Sequence, residues 1–206
     1  MVDVLGRDFY RQSALVVARE LLGAVLLRRL PEGEVLAGRI VETEAYTGKD
    51  DLASHGRIKP TPRNLPMWGE AGHAYVYFTY GNHWMLNISA EPEGAPAAVL
   101  IRALEPLMGV PRMQSHRRGR GGYELTSGPA KLAQALAVTG ADNRLDMTTP
   151  ESGLWIESAE RLADALVRTG ARIGLGKRVA EPWFSMAWRW WEQGNLYVSV
   201  GSGKLP

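Results

Sequence analysis

Two acidic residues, Glu42 and Glu44, are the strongest candidates for chemistry in the sequence, within the segment GRIVETEAYTG. Side chains alternate between the two faces of a β-strand, so Glu42, Glu44 and Tyr46 would share one face. Carboxylates that close together raise the pKa of at least one of them, which suits a general base. A solvated face with ordinary surface acids is an almost equal alternative, and flanking apolar strands favour the buried arrangement slightly.

A hairpin signal, Gly81-Asn82, separates two β-rich runs and places Tyr80 at the tip of the hairpin. An aromatic residue at such a tip can act as a wedge between the base steps of DNA, although folding back onto a neighbouring loop is the commoner use. A two-residue turn would set Tyr77 opposite Leu86 and place Asn87 on the other face. A bulge or a longer turn would bring Tyr77 and Asn87 to the same face.

The concentrated basic run of the chain is RMQSHRRGR, residues 112–120. Arg117, Arg118 and Arg120 are candidates for phosphate contacts, but the run taken alone favours a solvated, glycine-rich loop. The glycine-rich segments of the chain do not match a dinucleotide or P-loop fingerprint, and the four histidines lack the spacing of metal ligands. The sequence therefore implies neither a nucleotide cofactor nor a metal site.

Four tryptophans lie between residues 183 and 191. A stacking surface for bases or sugars is conceivable, but core packing or a partner interface is the expected use. Across the chain, 7 Trp and 7 Tyr outnumber 3 Phe, so most aromatic side chains can both stack and hydrogen-bond.

Length and composition predict a single domain covering residues 1–206, with enough apolar residues, 45%, to form a core. The 24 basic and 22 acidic residues give a net charge of +2, which excludes a polybasic tail protein but not a nucleic-acid binder with clustered charge. The absence of cysteine excludes a disulfide scaffold, a thiolate zinc site and a cysteine nucleophile. With no apolar stretch of about 20 residues and no signal peptide, we expect a cytoplasmic protein without a membrane partner.

The elements that must position these residues are strands joined mainly by hairpins. Periodicity predicts helices capped near Ser13 and Ser127, ending at Gly23 and Gly140, and a third helix over 158–169. Alternation and turn residues predict strands at 24–30, 35–46, 74–79, 83–90, 97–103 and 196–200. The expected fold class is α+β: a mainly antiparallel, curved sheet with surrounding helices and a protruding β-hairpin.

Several segments resemble, in the expected order, the alkyladenine (3-methyladenine) DNA glycosylases of the mammalian type. The resemblance covers most of the chain, and several motifs of this length in one order make a chance match very improbable. Residues 183–195 depart from it, because the corresponding segment of the family is shorter. The matching segments are GRIVETEAYTG (38–48), TPRN (61–64), YVYFTYGNHWMLNIS (75–89), IRALEPLMG (101–109), SGPAKLAQAL (127–136), RIGLG (172–176) and NLYVSV (195–200).

The resemblance implies a monofunctional repair enzyme that flips a damaged purine out of duplex DNA and hydrolyses its N-glycosidic bond. Its expected partner is double-stranded DNA containing alkylated or deaminated purines, such as 3-methyladenine, 7-methylguanine, hypoxanthine or ethenoadenine. It implies no cofactor, a monomer and, in a bacterium, association with the nucleoid. Glu44 resembles the general base that activates water, and Arg102 and the backbone carbonyl of Ile173 resemble the groups that hold that water.

The base pocket of the family also matches residue by residue. Tyr46 and His55 on one side and Tyr77 on the other resemble the residues that enclose the extruded base. Asn87 resembles the asparagine that would clash with the 2-amino group of guanine, and Tyr80 resembles the intercalating tyrosine. Aromatic walls suit a positively charged alkylated purine, whereas a neutral lesion also needs protonation, for which the sequence shows no dedicated acid.

Two other functions remain possible on the sequence alone. One is a non-catalytic nucleic-acid-binding protein of the same fold, which Glu44 argues against, because a carboxylate is of no use beside a polyanion. The other is a carbohydrate hydrolase that uses Glu42 and Glu44. Glycosidase carboxylates flank the scissile bond from opposite sides of the sugar, whereas these two lie on one strand.

Overall fold

The computed structural model describes residues 3–79, 81–176 and 179–199. In these ranges the chain forms one eight-stranded sheet whose strand pairings are all antiparallel, with four short α-helices. This arrangement confirms the α+β class and the mainly antiparallel sheet. The strands are β1 (Val25–Arg29), β2 (Val35–Tyr46), β3 (Ala74–Thr79), β4 (His83–Ser89), β5 (Ala98–Met108), β6 (Leu154–Glu157), β7 (Val167–Gly170) and β8 (Arg189–Glu192); the helices are α1 (Arg7–Tyr10), α2 (Ala14–Glu20), α3 (Val110–His116) and α4 (Pro129–Ala135).

Strand β2 lies inside the sheet and is paired along both edges. The main path of the sheet runs β3-β4-β5-β2-β1-β6. On the edge away from β5, the first half of β2 pairs with β1 and the second half with β8, where Glu42 lies opposite Trp191 and Glu44 opposite Arg189. A strand of 12 residues is long enough to take two short partners in succession on one edge. The backbone that carries Glu42 and Glu44 is therefore hydrogen-bonded on both sides.

The core forms where α2 and α4 cover the sheet. Ser13 caps α2 as predicted, because its hydroxyl accepts a hydrogen bond from the amide of Val16. The hydroxyl of Thr43 on β2 donates to the carbonyl of Ala18, 2.7 Å away, and ties this helix to the centre of the sheet. Large side chains that are fully buried in this core include Leu21, Leu26, Leu36, Ile40, Leu86, Ile88, Ile101 and Leu104.

Two predicted elements near the C-terminus are wrong. Residues 158–169 do not form a helix: a 3-10 turn at Asp164–Leu166 leads into β7. Most of this segment is exposed, and only Leu162 and Val167 pack against the core, so an extended chain buries its few core-facing residues without a helix. Residues 196–199 are turns rather than a strand, and Val200 lies outside the described residues. The last strand of the described chain is β8, at 189–192, which pairs with β2.

The boundaries around the second predicted helix also differ. Gly128, not Ser127, precedes α4, and no side chain caps it, while Ser127 forms a bridge with Ala103. The helix ends at Ala135, and Gly140 begins a separate 3-10 turn capped by the Thr139 hydroxyl. The sequence also missed β6, helix α3 within the basic run, and the extension of β5 to Met108.

The hairpin β3–β4 has the longer of the two turns considered. Thr79 pairs with His83, so three residues, 80–82, connect the strands, and a two-residue turn is wrong. Tyr77 then lies opposite Met85, and Tyr75 lies opposite Asn87. Because side chains alternate along a strand, these four residues share one face of the hairpin. Tyr80 lies outside the described residues.

The irregular segment 47–72 fits closely against the rest of the chain at Gly56. A Cβ added there would lie far inside contact distance of the Pro96 carbonyl oxygen and 2.9 Å from Pro96 Cβ. Because the obstacle includes backbone, we expect Gly56→Ala to lower the free energy of unfolding by about 1–3 kcal/mol in urea titrations. Gly48→Ala, in open space, is the matched control and should change it by no more than about 0.5 kcal/mol. Equal effects of the two substitutions would contradict this account.

Candidate active site

The side chain of Glu44 is fully buried and is held by two hydrogen-bond donors and one guanidinium. Its Oε1 atom accepts the amide N–H of Ile173 at 2.6 Å and lies 3.1 Å from Nη1 of Arg102 on β5. Its Oε2 atom accepts the hydroxyl of Tyr46 at 2.8 Å. The solvated alternative for this face of β2 is therefore wrong.

Burial raises the pKa of the Glu44 carboxyl above its ordinary value. The guanidinium of Arg102, the Ile173 amide and the Tyr46 hydroxyl act in the opposite direction, and the nearby Glu42 carboxylate adds to the rise. A raised pKa at one of the two acids agrees with the prediction from the sequence. The main cause is desolvation of Glu44, and the neighbouring acid Glu42 contributes less. A carboxylate with a raised pKa is a better proton acceptor, as a general base requires.

Glu42 is also fully buried, and its charge is compensated by two arginines. Its Oε1 atom lies 3.2 Å from Nε of Arg102 and 3.0 Å from Nη1 of Arg189, which comes from β8. Its Oε2 atom accepts the amide of Ser199 at 2.7 Å. Arg102 therefore joins the two acids, and Glu42 fixes the direction in which that guanidinium points.

A cavity of about 280 Å³ lies next to the cluster of Glu42, Glu44 and Arg102. All four residues predicted for the base pocket line it. The side chain of Tyr46 connects the two regions, because it lines the cavity while its hydroxyl binds Glu44. Asn87 is held in one orientation by a hydrogen bond of 3.0 Å from its Nδ2 to the carbonyl of Tyr75. The cavity-lining residues include Tyr46, His55, Arg57, Met67, Tyr75, Tyr77, Asn87 and residues 174–176.

His55 lies in a short 3-10 turn, His55–Arg57, whose first free amide is capped by the Ser54 hydroxyl. Its Nδ1 atom is 2.8 Å from the hydroxyl of Tyr75. Burial, followed by Arg63 and Arg57, lowers the pKa of His55 below its ordinary value, so the ring is neutral at pH 7. The His55 and Tyr77 rings touch edge to face, with centroids 4.8 Å apart, so a base between them requires the two rings to separate.

The basic run flanks a second, wider cavity of about 680 Å³ beside the hairpin turn. Arg118 and Arg120 are exposed, whereas Arg117 donates to Gln134 Oε1 at 2.6 Å and to the carbonyl of Glu124 at 2.8 Å. The lining also includes Asn82 and His83 of the hairpin and Lys131 of α4. The structure thus brings the three predicted phosphate-contacting arginines next to the hairpin.

Sequence reasoning missed several buried polar partners, notably Asp51 and Arg172, which form a fully buried ion pair. The position of Arg172 directly before Ile173 in RIGLG was the available signal. The predicted role of Ile173 was its carbonyl, and the structure shows in addition that its amide holds Glu44. Among the residues that the structure describes, no group of three or more side chains could hold a metal ion, and no helix is long and apolar enough to cross a membrane.

The family model "Methylpurine-DNA glycosylase (MPG)" matches residues 8–196. The chain belongs to the methylpurine-DNA glycosylase family. Membership in the methylpurine-DNA glycosylase family confirms the resemblance found in the sequence and makes the chain a DNA glycosylase, a hydrolase of DNA repair. It does not support a carbohydrate hydrolase.

Individual relatives agree with the family assignment. A mouse (Mus musculus) protein named "DNA-3-methyladenine glycosylase" is 43% identical over 95% of this chain and 61% of its own length. Proteins of Chlorobaculum parvum and Koribacter versatilis, both named "Putative 3-methyladenine DNA glycosylase", are 45% and 47% identical. The first match covers 87% of this chain and 85% of the relative, and the second covers 86% of each.

The raised pKa of Glu44 predicts a pH-dependent effect of Glu44→Gln on stability. A carboxyl that binds its proton more tightly in the folded state costs stability once the pH exceeds its folded pKa. We therefore expect Glu44→Gln to raise the free energy of unfolding at neutral pH. The gain should shrink as the pH falls and disappear below the pKa of the unfolded chain, where Glu44 is protonated in both states. Urea titrations across this pH range measure the difference.

The exposed Glu93 offers a control for that experiment. Glu93→Gln removes the same charge from the surface, and we expect little change in stability at any pH. A Glu44→Gln protein that is less stable than the wild type at neutral pH would show that the donors around Glu44 outweigh its burial.

Proposed function

We propose that this glycosylase excises alkylated or deaminated purines from duplex DNA, with Glu44 as the general base. The observation that carries the proposal is the single hydrogen bond between Glu44 and Tyr46, which joins a buried carboxylate to the wall of an aromatic cavity. The family of the chain and the names of its relatives supply the DNA substrate and the class of reaction. We propose a monomer without a cofactor, located in the cytoplasm or, in a bacterium, at the nucleoid.

In the proposed reaction the damaged nucleotide rotates out of the helix and its base enters the cavity lined by Tyr46, His55 and Tyr77. The bond between C1′ and the base nitrogen breaks, and its electron pair leaves with the base. A cationic alkylated purine leaves as the neutral base, whereas a neutral lesion such as hypoxanthine leaves as an anion that takes up a proton from solvent. Positive charge develops on the sugar, and the carboxylate of Glu44 stabilises it. A water molecule attacks C1′ while Glu44 accepts its proton. The products are the free base and an abasic site.

Arg102 and Ile173 would orient the attacking water. Arg102 already lies 3.1 Å from Glu44, and Glu42 holds its guanidinium in place. The Ile173 amide binds Glu44 at 2.6 Å, so the backbone of this residue is next to the carboxylate, where its carbonyl is proposed to accept a hydrogen bond from the water. Holding the water by several fixed groups lowers the entropic cost of the reaction.

Selection against normal guanine is assigned to Asn87. Its side chain is 3% exposed, lines the cavity and is fixed by the carbonyl of Tyr75, so it cannot easily turn aside. A purine carrying a 2-amino group would meet this amide, whereas hypoxanthine, ethenoadenine and 3-methyladenine lack that group. 7-Methylguanine carries it, and its excision is attributed to its positive charge, which weakens the glycosidic bond enough to offset the poorer fit. A positively charged alkylated purine leaves readily and stacks well on Tyr46 and Tyr77.

The path of the DNA is assigned to the hairpin and to the basic cavity beside it. Tyr80, at the turn, is proposed to fill the gap left by the flipped nucleotide. Arg118 and Arg120 are exposed and are the proposed phosphate contacts, with Arg120 also 3.9 Å from the carboxylate of Glu124, and Arg117 lines the same cavity. This clustering supports DNA binding by a chain whose net charge is only +2.

The central test is excision from a duplex oligonucleotide that contains one hypoxanthine or ethenoadenine, followed by alkali to cleave abasic sites. Removing a general base costs about 10²–10⁴-fold in rate, so we expect Glu44→Gln to reduce single-turnover excision by that factor. Glu93→Gln should retain the wild-type rate. Absence of strand cleavage with the wild type, or undiminished cleavage with Glu44→Gln, would refute the proposed function.

A second test concerns the basic cavity. Each lost phosphate contact reduces the slope of log affinity against log salt by about 0.9. We expect the double variant Arg118→Ala, Arg120→Ala to bind duplex DNA more weakly at low salt and to reduce this slope by up to about 1.8. Arg161→Ala, which removes an exposed arginine paired with Glu20 and Asp164, is the control and should keep the slope. An unchanged slope in the double variant would place the phosphates elsewhere.

A further inference from the structure

The side chain of Arg172 is fully buried and donates hydrogen bonds to three separate segments. Nη1 and Nη2 bind the two carboxylate oxygens of Asp51 at 2.5 and 2.9 Å. Nη1 also donates to the carbonyl of Ala45 at 3.0 Å, and Nη2 donates to that of Trp183 at 3.2 Å. The forked guanidinium thus joins the end of β2, the irregular 47–72 segment and residues 183–195, the tryptophan-rich segment.

The faces of this guanidinium are covered by aromatic rings. The guanidinium carbon lies 4.8 Å from the ring centroid of Tyr46 and 5.0 Å from that of Trp188. Trp183 extends the stack, with its ring centroid 5.6 Å from that of Trp188. Arg172 does not line the cavity, so it supports the Tyr46 ring from outside the cavity.

The partner carboxylate, Asp51, organises the loop that leads to His55. Its Oδ2 atom accepts the amide of Thr47 at 3.2 Å, and its Oδ1 atom accepts the amide of Ala53 at 2.9 Å. Its own carbonyl accepts the amide of Ser54, the residue that caps the His55 turn. Anchoring Asp51 therefore also anchors the His55 side of the cavity.

The residue that follows Arg172 contacts the catalytic carboxylate directly. The Ile173 amide donates to Glu44 Oε1 at 2.6 Å, and its position depends on where the backbone of Arg172 lies. The side chain of Arg172 therefore links two cavity-lining residues, Tyr46 and His55, to the Ile173 amide that contacts the general base.

We propose that Arg172 is a positioning residue that sets the geometry of both the base cavity and Glu44, with the tryptophan-rich segment serving to cover it. The inference rests on the proposed function for its catalytic consequences, but its structural part does not. A guanidinium is required because lysine cannot provide a planar fork for Asp51, two further hydrogen bonds and two stacking faces at once.

The test uses Arg172→Lys, which keeps the positive charge beside Asp51 and changes mainly the geometry. We expect single-turnover excision of hypoxanthine to fall by about 10–100-fold, the scale of a misplaced catalytic group. The groups that face Glu44, namely Arg102, Tyr46 and Glu42, stay the same. A weaker hydrogen bond from Ile173 leaves Glu44 with a higher pKa, so the acid limb of the rate profile should move to higher pH.

Arg28→Lys is the control, because Arg28 forms another, largely buried ion pair, with Asp142 at 2.7 Å. It should lower stability to a similar degree yet keep the wild-type rate per folded molecule and the wild-type acid limb. An Arg172→Lys enzyme that loses stability but keeps both the rate and the limb would reduce Arg172 to a structural residue and overturn the proposal.

Direct titration of the Glu44 carboxyl by carbon NMR separates this inference from the proposed function. A higher titration midpoint in Arg172→Lys than in the wild type supports positioning even if the wild type excises nothing, an outcome that would refute the proposed function alone. An unchanged midpoint overturns the inference. If Arg172→Lys does not fold, Trp188→Leu, at a partly exposed position, replaces it in the titration. A higher Glu44 midpoint in that variant supports positioning, and an unchanged midpoint overturns the inference.

Discussion

A carboxylate buried in the middle of a sheet must be supplied with hydrogen-bond donors, or its charge costs more than the fold can offset. For Glu44 those donors come from β2 itself, from β5 and from the residue 129 positions further along the chain. The fold must therefore bring Arg102 and Ile173 to one point on β2. The pairing of β5 with β2 supplies Arg102, and the return of the chain after β7 supplies Ile173.

The tryptophan-rich segment acquires a structural explanation from the same requirement. Strand β8, within it, covers the half of β2 that β1 leaves open, and its Arg189 reaches Glu42 at 3.0 Å. The guanidinium of Arg172 lies over the ring of Trp188 and also over that of Tyr46. The tryptophan-rich segment thus pairs with and packs around the strand that carries Glu44, and a partner-protein interface is not needed to explain it.

Local patterns predicted the parts of the fold that local forces determine. The bounds of β2 and β3 and the Ser13 cap follow from alternation and capping chemistry. Tyr46 of β2 and Tyr77 and Asn87 of the hairpin line one cavity, as predicted. The predicted helix over 158–169 was wrong because most of the segment is exposed and its end, from Val167, is drawn into the sheet by pairing with β8. The pair Arg172–Asp51 could not be inferred, because its members are 121 positions apart and only the tertiary structure makes them neighbours.

The arrangement of two acids around one arginine explains how Glu44 can remain basic beside a cation. An arginine that binds one carboxylate with both arms stabilises the anion strongly and lowers its pKa. Arg102 instead gives Nε to Glu42 and Nη1 to Glu44, so each acid receives one contact. Glu42 is also paired with Arg189, so it does not need a second hydrogen bond from the Arg102 guanidinium. Sharing the guanidinium in this way orients Arg102 towards Glu44 while burial still holds the pKa of Glu44 above its ordinary value.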